Sequence, residues 1–187
     1  SRMICYDLRE SDSNSSYRKK LEELTKIIMK TTGQIREITY DLMPPEIGND
    51  DIEKVLSEYC ENFRKKTGIK TELKVSGFKN IKMDKTQRLT IYRILQECLI
   101  NARKHSAAHT VRIKLLLTYP FIILRVSDDG RGTELSEIEK STDHHLHIGL
   151  KGIEERVNMF DGEMSIKTMP EKGFSISIKM ALQEAKN

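Results

Sequence analysis

The sequence predicts an α+β protein, a two-layer α/β sandwich preceded by a helical hairpin. Three observations lead there. An apolar seam of helical period runs through the chain before Pro44-Pro45. The diproline then breaks that pattern, because proline cannot continue a helix and constrains the residue before it. Beyond it, helical and strand periodicities alternate, the mark of helices layered on a sheet. Two domains are therefore expected, over residues 1–45 and 46–187.

In the first, a short helical segment from Met3 to Arg9 precedes a polar break at Ser11–Ser15 and a long helix from about Ser16 to Met43. Leu21, Ile28, Ile35 and Leu42 recur at heptad spacing, with Leu24 and Ile38 three residues after two of them. This is an a/d seam, which suits helical partners better than a sheet. One hairpin cannot cover such a stripe alone, so association of two copies into a four-helix bundle is expected.

In the second, Asp50 to Lys66 reads as a helix closed by Gly68, and Ile69 to Val75 alternates like a strand. Asp84 with Gln87 resembles a capping box opening a helix that runs through His105. Strands are expected at Thr110 to Leu117 and Phe121 to Ser127, turning at Tyr119-Pro120. A loop with glycines follows from Asp129 to Gly149, then a helix from Leu150 to about Asp161. Strands near Glu163 to Thr168 and Phe174 to Met180 close the chain, in a mostly antiparallel sheet.

Composition narrows the function classes. With 37% hydrophobic and 32% charged residues, the 187-residue chain is expected to fold as a soluble, helix-rich protein. No stretch approaches the roughly 18 apolar residues of a membrane span. The net charge of +4 is modest and its acidic residues interleave with the basic ones, which argues against nucleic acid as a direct partner. Cys5, Cys60 and Cys98 are far apart, lack zinc spacing and read as reduced thiols.

Three elements carry chemistry. On the helix ending at His105, the residues Glu97, Asn101, Lys104 and His105 fall on one face, while Leu95, Leu99 and Ala102 fall on the core side. A carboxylate, a carboxamide and a cation together suit Mg²⁺ and phosphate oxygens, although an isolated polar face is more often merely solvated. Next, the strand from Phe121 runs into Asp128-Asp129-Gly130-Arg131-Gly132. A carboxylate at a strand end accepts hydrogen bonds, so Asp128 suits an exocyclic amine such as that of adenine, and Gly130 and Gly132 let backbone approach a ligand. An ordinary Asp-Gly turn would look the same. Third, Gly149-Leu150-Lys151-Gly152 enters a helix, where free amides and absent side chains can cradle phosphate.

In this order the three elements resemble the ATP-binding module of the GHKL superfamily (the Bergerat fold), which includes histidine kinases, the GyrB and MutL ATPases, and Hsp90. Gln96 to His105 resembles the N box, Asp128 to Gly132 the G1 box and Gly149 to Gly152 the G2 box. The resemblance implies ATP and Mg²⁺ as ligands. It implies that Asn101 binds Mg²⁺ and that Asp128 holds adenine. Glu97 acts as or positions the general base, Lys104 and His105 face phosphate, and the amides of Gly149, Leu150, Lys151 and Gly152 embrace the phosphate chain. Asn101-Ala102-Arg103-Lys104-His105-Ser106, with Gly149-Leu150-Lys151-Gly152-Ile153-Glu154-Glu155-Arg156-Val157, is similar to sensor histidine kinases of the NarL-partner class. Ile35 to Pro45 resembles the end of that class's dimerisation and histidine-phosphotransfer domain.

The resemblance implies a cytoplasmic homodimeric enzyme that transfers the ATP γ-phosphoryl to a histidine and then to an aspartate of a NarL/LuxR-type response regulator. The parent kinase is expected to be membrane-anchored, with no membrane contact by this part. All five histidines, His105, His109, His144, His145 and His147, lie after the diproline. The acceptor is therefore expected upstream of Ser1; an alternative alignment places Arg9-Glu10 where the acceptor pair should stand. His144, His145 and His147 read as part of a lid rather than a metal site. Where the family often has Gly-Thr before the last strand, this chain has Gly173-Phe174, which puts the adenine contact on that side in doubt. The other readings are a serine kinase of anti-sigma-factor type and a non-catalytic interaction module with a vestigial pocket.

Overall fold

The computed structural model of the chain describes residues 51–79, 81–135 and 144–185, with side chains throughout except at 144–148. The expected hairpin over residues 1–45, its seam and residues 136–143 of the expected loop lie outside the described residues.

Helix α1, Ile52–Thr67, starts where the Asp51 side chain accepts the Glu53 amide at 3.0 Å. It stops at Gly68, whose φ of 76° suits a residue without Cβ and whose N–H bonds the Arg64 carbonyl. Its apolar stripe buries Ile52, Val55, Leu56, Tyr59, Cys60 and Phe63. Strand β1, Lys70–Ser76, leads to helix α2, Lys85–Asn101, which continues as a π-helical turn over Ala102–Ser106. Strands β2, Thr110–Thr118, and β3, Phe121–Asp128, form a hairpin; helix α3, His144–Asn158, and strands β4, Glu163–Thr168, and β5, Phe174–Ala181, complete the chain.

The five strands form one sheet in the order β1-β2-β3-β5-β4. Only β1 and β2 run parallel, as their crossover through α2 requires; the other three pairings are antiparallel. Each strand alternates, so Ile113, Leu115, Ile122, Leu124, Ile176 and Ile178 turn to one face and are buried. They share a core with Ile91, Leu95 and Leu99 of α2 and Ile153 and Val157 of α3. The opposite face carries the exposed residues of every strand. The expected two-layer α/β arrangement is the one observed. Cys60 and Cys98 are free and buried, and burial pushes each thiol up to about 12.

Two local readings need correction. Asp84 does cap α2, accepting the Thr86 and Gln87 amides at 2.8 and 3.2 Å. The return arm of a capping box is absent, because Gln87 is buried and turned to the end of β5. Its Nε2 donates to the Ala181 carbonyl at 2.7 Å and its Oε1 accepts the Gln183 amide at 2.8 Å, while the Asp84 amide bonds the Gln183 carbonyl. The second correction concerns α3, which begins at His144 rather than Leu150. His144 to Ile148 contains no helix breaker, and two interior glycines each cost only about 1 kcal/mol relative to alanine.

Gln87 thus ties the start of α2 to the last strand with two bonds to backbone. Replacing it by Ala leaves a buried carbonyl and amide without partners, at about 1–3 kcal/mol each. The expected result for Gln87→Ala is a urea midpoint lowered by a corresponding amount with an unchanged slope.

Candidate functional site

A cavity of about 560 Å³ opens between the end of α2, the inward face of β3 and β5, the middle of α3 and the turn joining β4 to β5. That volume is in the range of small-molecule and cofactor pockets. Val126, Leu150, Ile153 and Ile176 give it apolar walls; Asn101, His105 and Asp128 give it polar ends.

Strand alternation puts Asp128 on the inward face with Leu124 and Val126. Its Oδ1 accepts the Gly130 amide at 2.9 Å, and the Phe174 amide also donates to the carboxylate. Burial dominates these bonds and raises its pKa, with Asp129 adding to the rise. The result is a fixed acceptor, short of solvent, at the cavity. Asp129 has the opposite situation. Its Oδ1 accepts the His109 and Thr110 amides, each at 2.9 Å, and the Thr110 amide is the largest cause of a lowered pKa. One carboxylate faces the cavity; its neighbour locks the start of β2 to the end of β3.

The π-helical turn after Asn101 decides which N-box residues reach the cavity. Ser106 Oγ donates to the Ala102 carbonyl at 2.6 Å and accepts the Ala108 amide at 3.1 Å, and Ala107 turns out of the helix with φ of 52°. The Ser106 carbonyl accepts the Arg131 amide at 2.8 Å, and Arg131 Nε donates to the His105 carbonyl at 2.8 Å. Gly130 packs on the Ser106 backbone so closely that a Cβ there would collide with it. Asn101 and His105 line the cavity, whereas Lys104 is exposed and outside its lining. The expected single face fails at Lys104 because the wider turn rotates the residues after Asn101 away from α-helical spacing.

The glycines of the third motif are placed inside α3 rather than at its mouth. A Cβ on Gly149 would run into the Glu97 carboxylate and stand 3.5 Å from Asn101 Nδ2. Gly149 is therefore where helix backbone meets these two N-box side chains. Gly152 leaves room for Arg156, whose guanidinium donates to the Gly152 carbonyl at 2.7 Å. Leu150 lines the cavity and Lys151 is exposed outside its lining. In this helical form the amides of Gly149 to Gly152 stand beyond the first turn, where helix carbonyls take up backbone donors.

The remaining wall joins Gly132 and Phe174, both singled out in the sequence, to Thr133, Thr168, Pro170 and Glu171, which sequence reasoning missed. Gly132, with φ of 57°, sits against the Met169 and Gly173 carbonyls. Thr168 Oγ1 accepts the Thr133 amide and lies 3.1 Å from the Thr133 and Gly173 carbonyls, and the Glu171 amide bonds the Arg131 carbonyl. Phe174 pairs with Thr168 across β4 and β5, and both line the cavity. A hydroxyl therefore stands across from the position where the family's threonine was missing. Its only advance signal was strand alternation, which puts Met164, Ile166 and Thr168 on the core side.

Residues 86–184 match the family model described as histidine kinase-, DNA gyrase B-, and HSP90-like ATPase. The chain is 33% identical over 163 residues to the sensor histidine kinase ComP of Bacillus subtilis (strain 168), an alignment covering 87% of this chain and 21% of that protein. It is 29% identical over 164 residues to the signal transduction histidine-protein kinase/phosphatase DegS of Brevibacillus brevis, covering 88% of this chain and 41% of that one. The chain thus spans well under half the length of these relatives. Among solved structures, the histidine kinase domain of the Erythrobacter litoralis EL346 blue-light activated histidine kinase superposes with a TM-score of 0.55 at 16% identity, covering 76% of this chain and 68% of that one. The mycobacterial sensor histidine kinase MprB gives 0.54 at 19%, covering 73% and 99%. These last two likenesses are of fold.

Asp129 provides a pH test of the strand lock. Its folded-state pKa is depressed, so its contribution is full above its ordinary value of 3.8 and is lost as pH falls through the lower folded value. Asp129→Asn should melt below the unmodified chain at neutral pH, with the gap narrowing as pH drops below 3.8.

Proposed function

Because the chain belongs to the family of histidine kinase-, DNA gyrase B- and HSP90-like ATPases, we propose that it is the catalytic ATP-binding region of a two-component sensor histidine kinase. The observation that carries this reading is the placement of Asp128 and Asn101 at one apolar-walled cavity. A purine fits between Val126, Ile153 and Ile176 with its exocyclic amine donating to Asp128, which the Gly130 and Phe174 amides hold in place. Asn101, whose carboxamide lies with the Glu97 carboxylate against Gly149, would hold Mg²⁺, whose charge offsets that of the phosphates. Glu97 accepts or orients the proton at the attacking nitrogen.

His105, at the cavity wall, supplies a hydrogen-bonding group toward the phosphate chain. The amides of Gly149, Leu150, Lys151 and Gly152 become available to phosphate when the turn of α3 ahead of them opens. Gly130 and Gly132 let the loop after β3 pack on the Ser106 backbone and on the Met169 and Gly173 carbonyls, which shapes the opposite rim. Phosphoryl transfer rests on this positioning and charge stabilisation. The acceptor is a histidine, from which the phosphoryl passes to an aspartate of a NarL/LuxR-type response regulator. Residues 1–45 contribute to a dimerising phosphotransfer hairpin, 46–187 form the catalytic domain, and the enzyme works as a homodimer on the cytoplasmic side of a membrane-anchored parent.

With labelled ATP, Mg²⁺ and the phosphotransfer hairpin of the parent kinase, the expected product is an acid-labile, base-stable label on histidine. An acid-stable label would support a serine kinase instead. Calorimetry should show Mg-ATP binding that Asp128→Asn weakens at least about tenfold, since a charge-assisted hydrogen bond contributes about 1.5–3 kcal/mol. Because the Asp128 pKa is raised, its charge costs folding stability as pH rises above 3.8. The melting temperature of Asp128→Asn, relative to the unmodified chain, should therefore rise with pH over that range while affinity stays low. Unchanged affinity would contradict the purine assignment. Gly149→Ala should hold or gain helix stability, by about 1 kcal/mol, yet displace Glu97 and lower the rate of labelling.

A further inference from the structure

Acidic and basic residues interleave along the sequence, but a strand sorts its residues by parity. On the exposed face of the sheet this separates them. Lys74 of β1 is the register partner of Lys114 of β2, which is the partner of Arg125 of β3. Three cations thus stand in a row on adjacent strands, spaced about 4.8 Å apart in the hydrogen-bonding direction. Lys70, Arg112, Lys167 and Lys179 flank the row on the same face. Among the described residues the acids of that face are Glu72, taken by Lys70 at 2.7 Å and Arg112 at 3.4 Å, Glu163, placed opposite Lys179, and, just past β3, Asp129, whose Oδ1 is taken by the His109 and Thr110 amides. No ion pair of Lys74, Lys114 or Arg125 occurs among the described residues, and Arg125 is fixed by donating to Ser177 Oγ at 3.0 Å. Like charges directly opposite one another on a sheet are destabilising, so this row works against the fold unless an anion covers it.

We propose that this face is a docking surface for an anionic phospholipid bilayer. The cations are spread over a sheet surface, an arrangement suited to a diffuse field of headgroups. At one end, the β2–β3 turn presents Tyr119, 75% exposed, and Phe121, 39% exposed, beside the half-buried Leu116 and Ile123. Aromatic rings next to basic side chains favour the membrane–water interface. Single-stranded nucleic acid fits less well, because it binds on rows of bare rings. Here the single aromatic on the sheet face, Phe121, lies at its edge with Lys179 Nζ 4.3 Å from its centroid. The surface differs from the expected lack of membrane contact, which rested on the absence of an apolar span; among the described residues no helix is long and apolar enough to cross a membrane. Binding here needs no span and leaves the nucleotide cavity, on the other face, open.

The test is sedimentation of the full chain with vesicles of phosphatidylglycerol and phosphatidylcholine, against phosphatidylcholine alone. Binding to the anionic vesicles should fall steeply with salt. Each surface cation near an anionic membrane contributes about fivefold, so Lys74→Gln/Lys114→Gln/Arg125→Gln should lose roughly a hundredfold with Mg-ATP affinity unchanged. The same loss of charge on the helices, Lys54→Gln/Lys65→Gln/Lys85→Gln, should leave most vesicle binding intact. Without lipid, the sheet triple variant should melt no lower than the unmodified chain. Equal binding to both vesicle types, equal losses in the two triple variants, or binding to oligonucleotides but not to vesicles would each overturn the proposal.

Discussion

The hydrogen bond from the Arg131 amide to the Ser106 carbonyl, backed by Arg131 Nε on the His105 carbonyl, joins the end of α2 to the loop after β3. Gly130 is pressed against the same backbone, where no side chain would fit. Asn101 belongs to one of these elements and Asp128 to the other, so their separation is set at this junction. The Asp129 carboxylate supports it from the outside by holding the first amides of β2. A residue that never touches a ligand can therefore still fix the cavity, and the bonds involved are to backbone, so their geometry does not depend on long side chains finding one rotamer.

The same strand alternation accounts for both faces of the sheet. Inward parity places Val126, Asp128, Thr168, Phe174 and Ile176 around the cavity and the remaining aliphatics in the core. Outward parity gathers the cations that look scattered in the sequence. Charge interleaving read along a strand thus means the opposite of what it means along a loop. Recognition of this kind requires knowing the register, since a shift of one residue would exchange the two faces.

The elements from Ile52 onward were legible because their apolar periods are clear and their ends carry strong signals, such as Asp51 and Gly68 for α1. Asp128, Asn101 and His105, picked out by motif order, line the same cavity. What was hidden depended on partners distant in sequence. Gln87 turned from its own helix to Ala181 and Gln183, a pairing no local pattern announces. The π-helical turn at Ala102–Ser106 is closed by Ser106 and by Arg131, so an α-helical wheel misplaced Lys104. Gly149 was read as a helix start, yet its absent side chain also leaves space for Glu97, a reason for glycine that lies in tertiary packing. Thr168 gave no signal beyond its inward strand parity, because its value comes from facing Phe174 across two strands.

The central claim is spatial: one cavity takes a purine at Asp128 and a metal-bound phosphate chain at Asn101. A crystal structure of the chain with Mg²⁺ and a non-hydrolysable ATP analogue tests it most directly. The account predicts the purine amine within hydrogen-bond distance, about 3 Å, of the Asp128 carboxylate and Mg²⁺ coordinated by Asn101 Oδ1. A nucleotide lodged elsewhere, or lying in the cavity with its base turned away from Asp128, would contradict it.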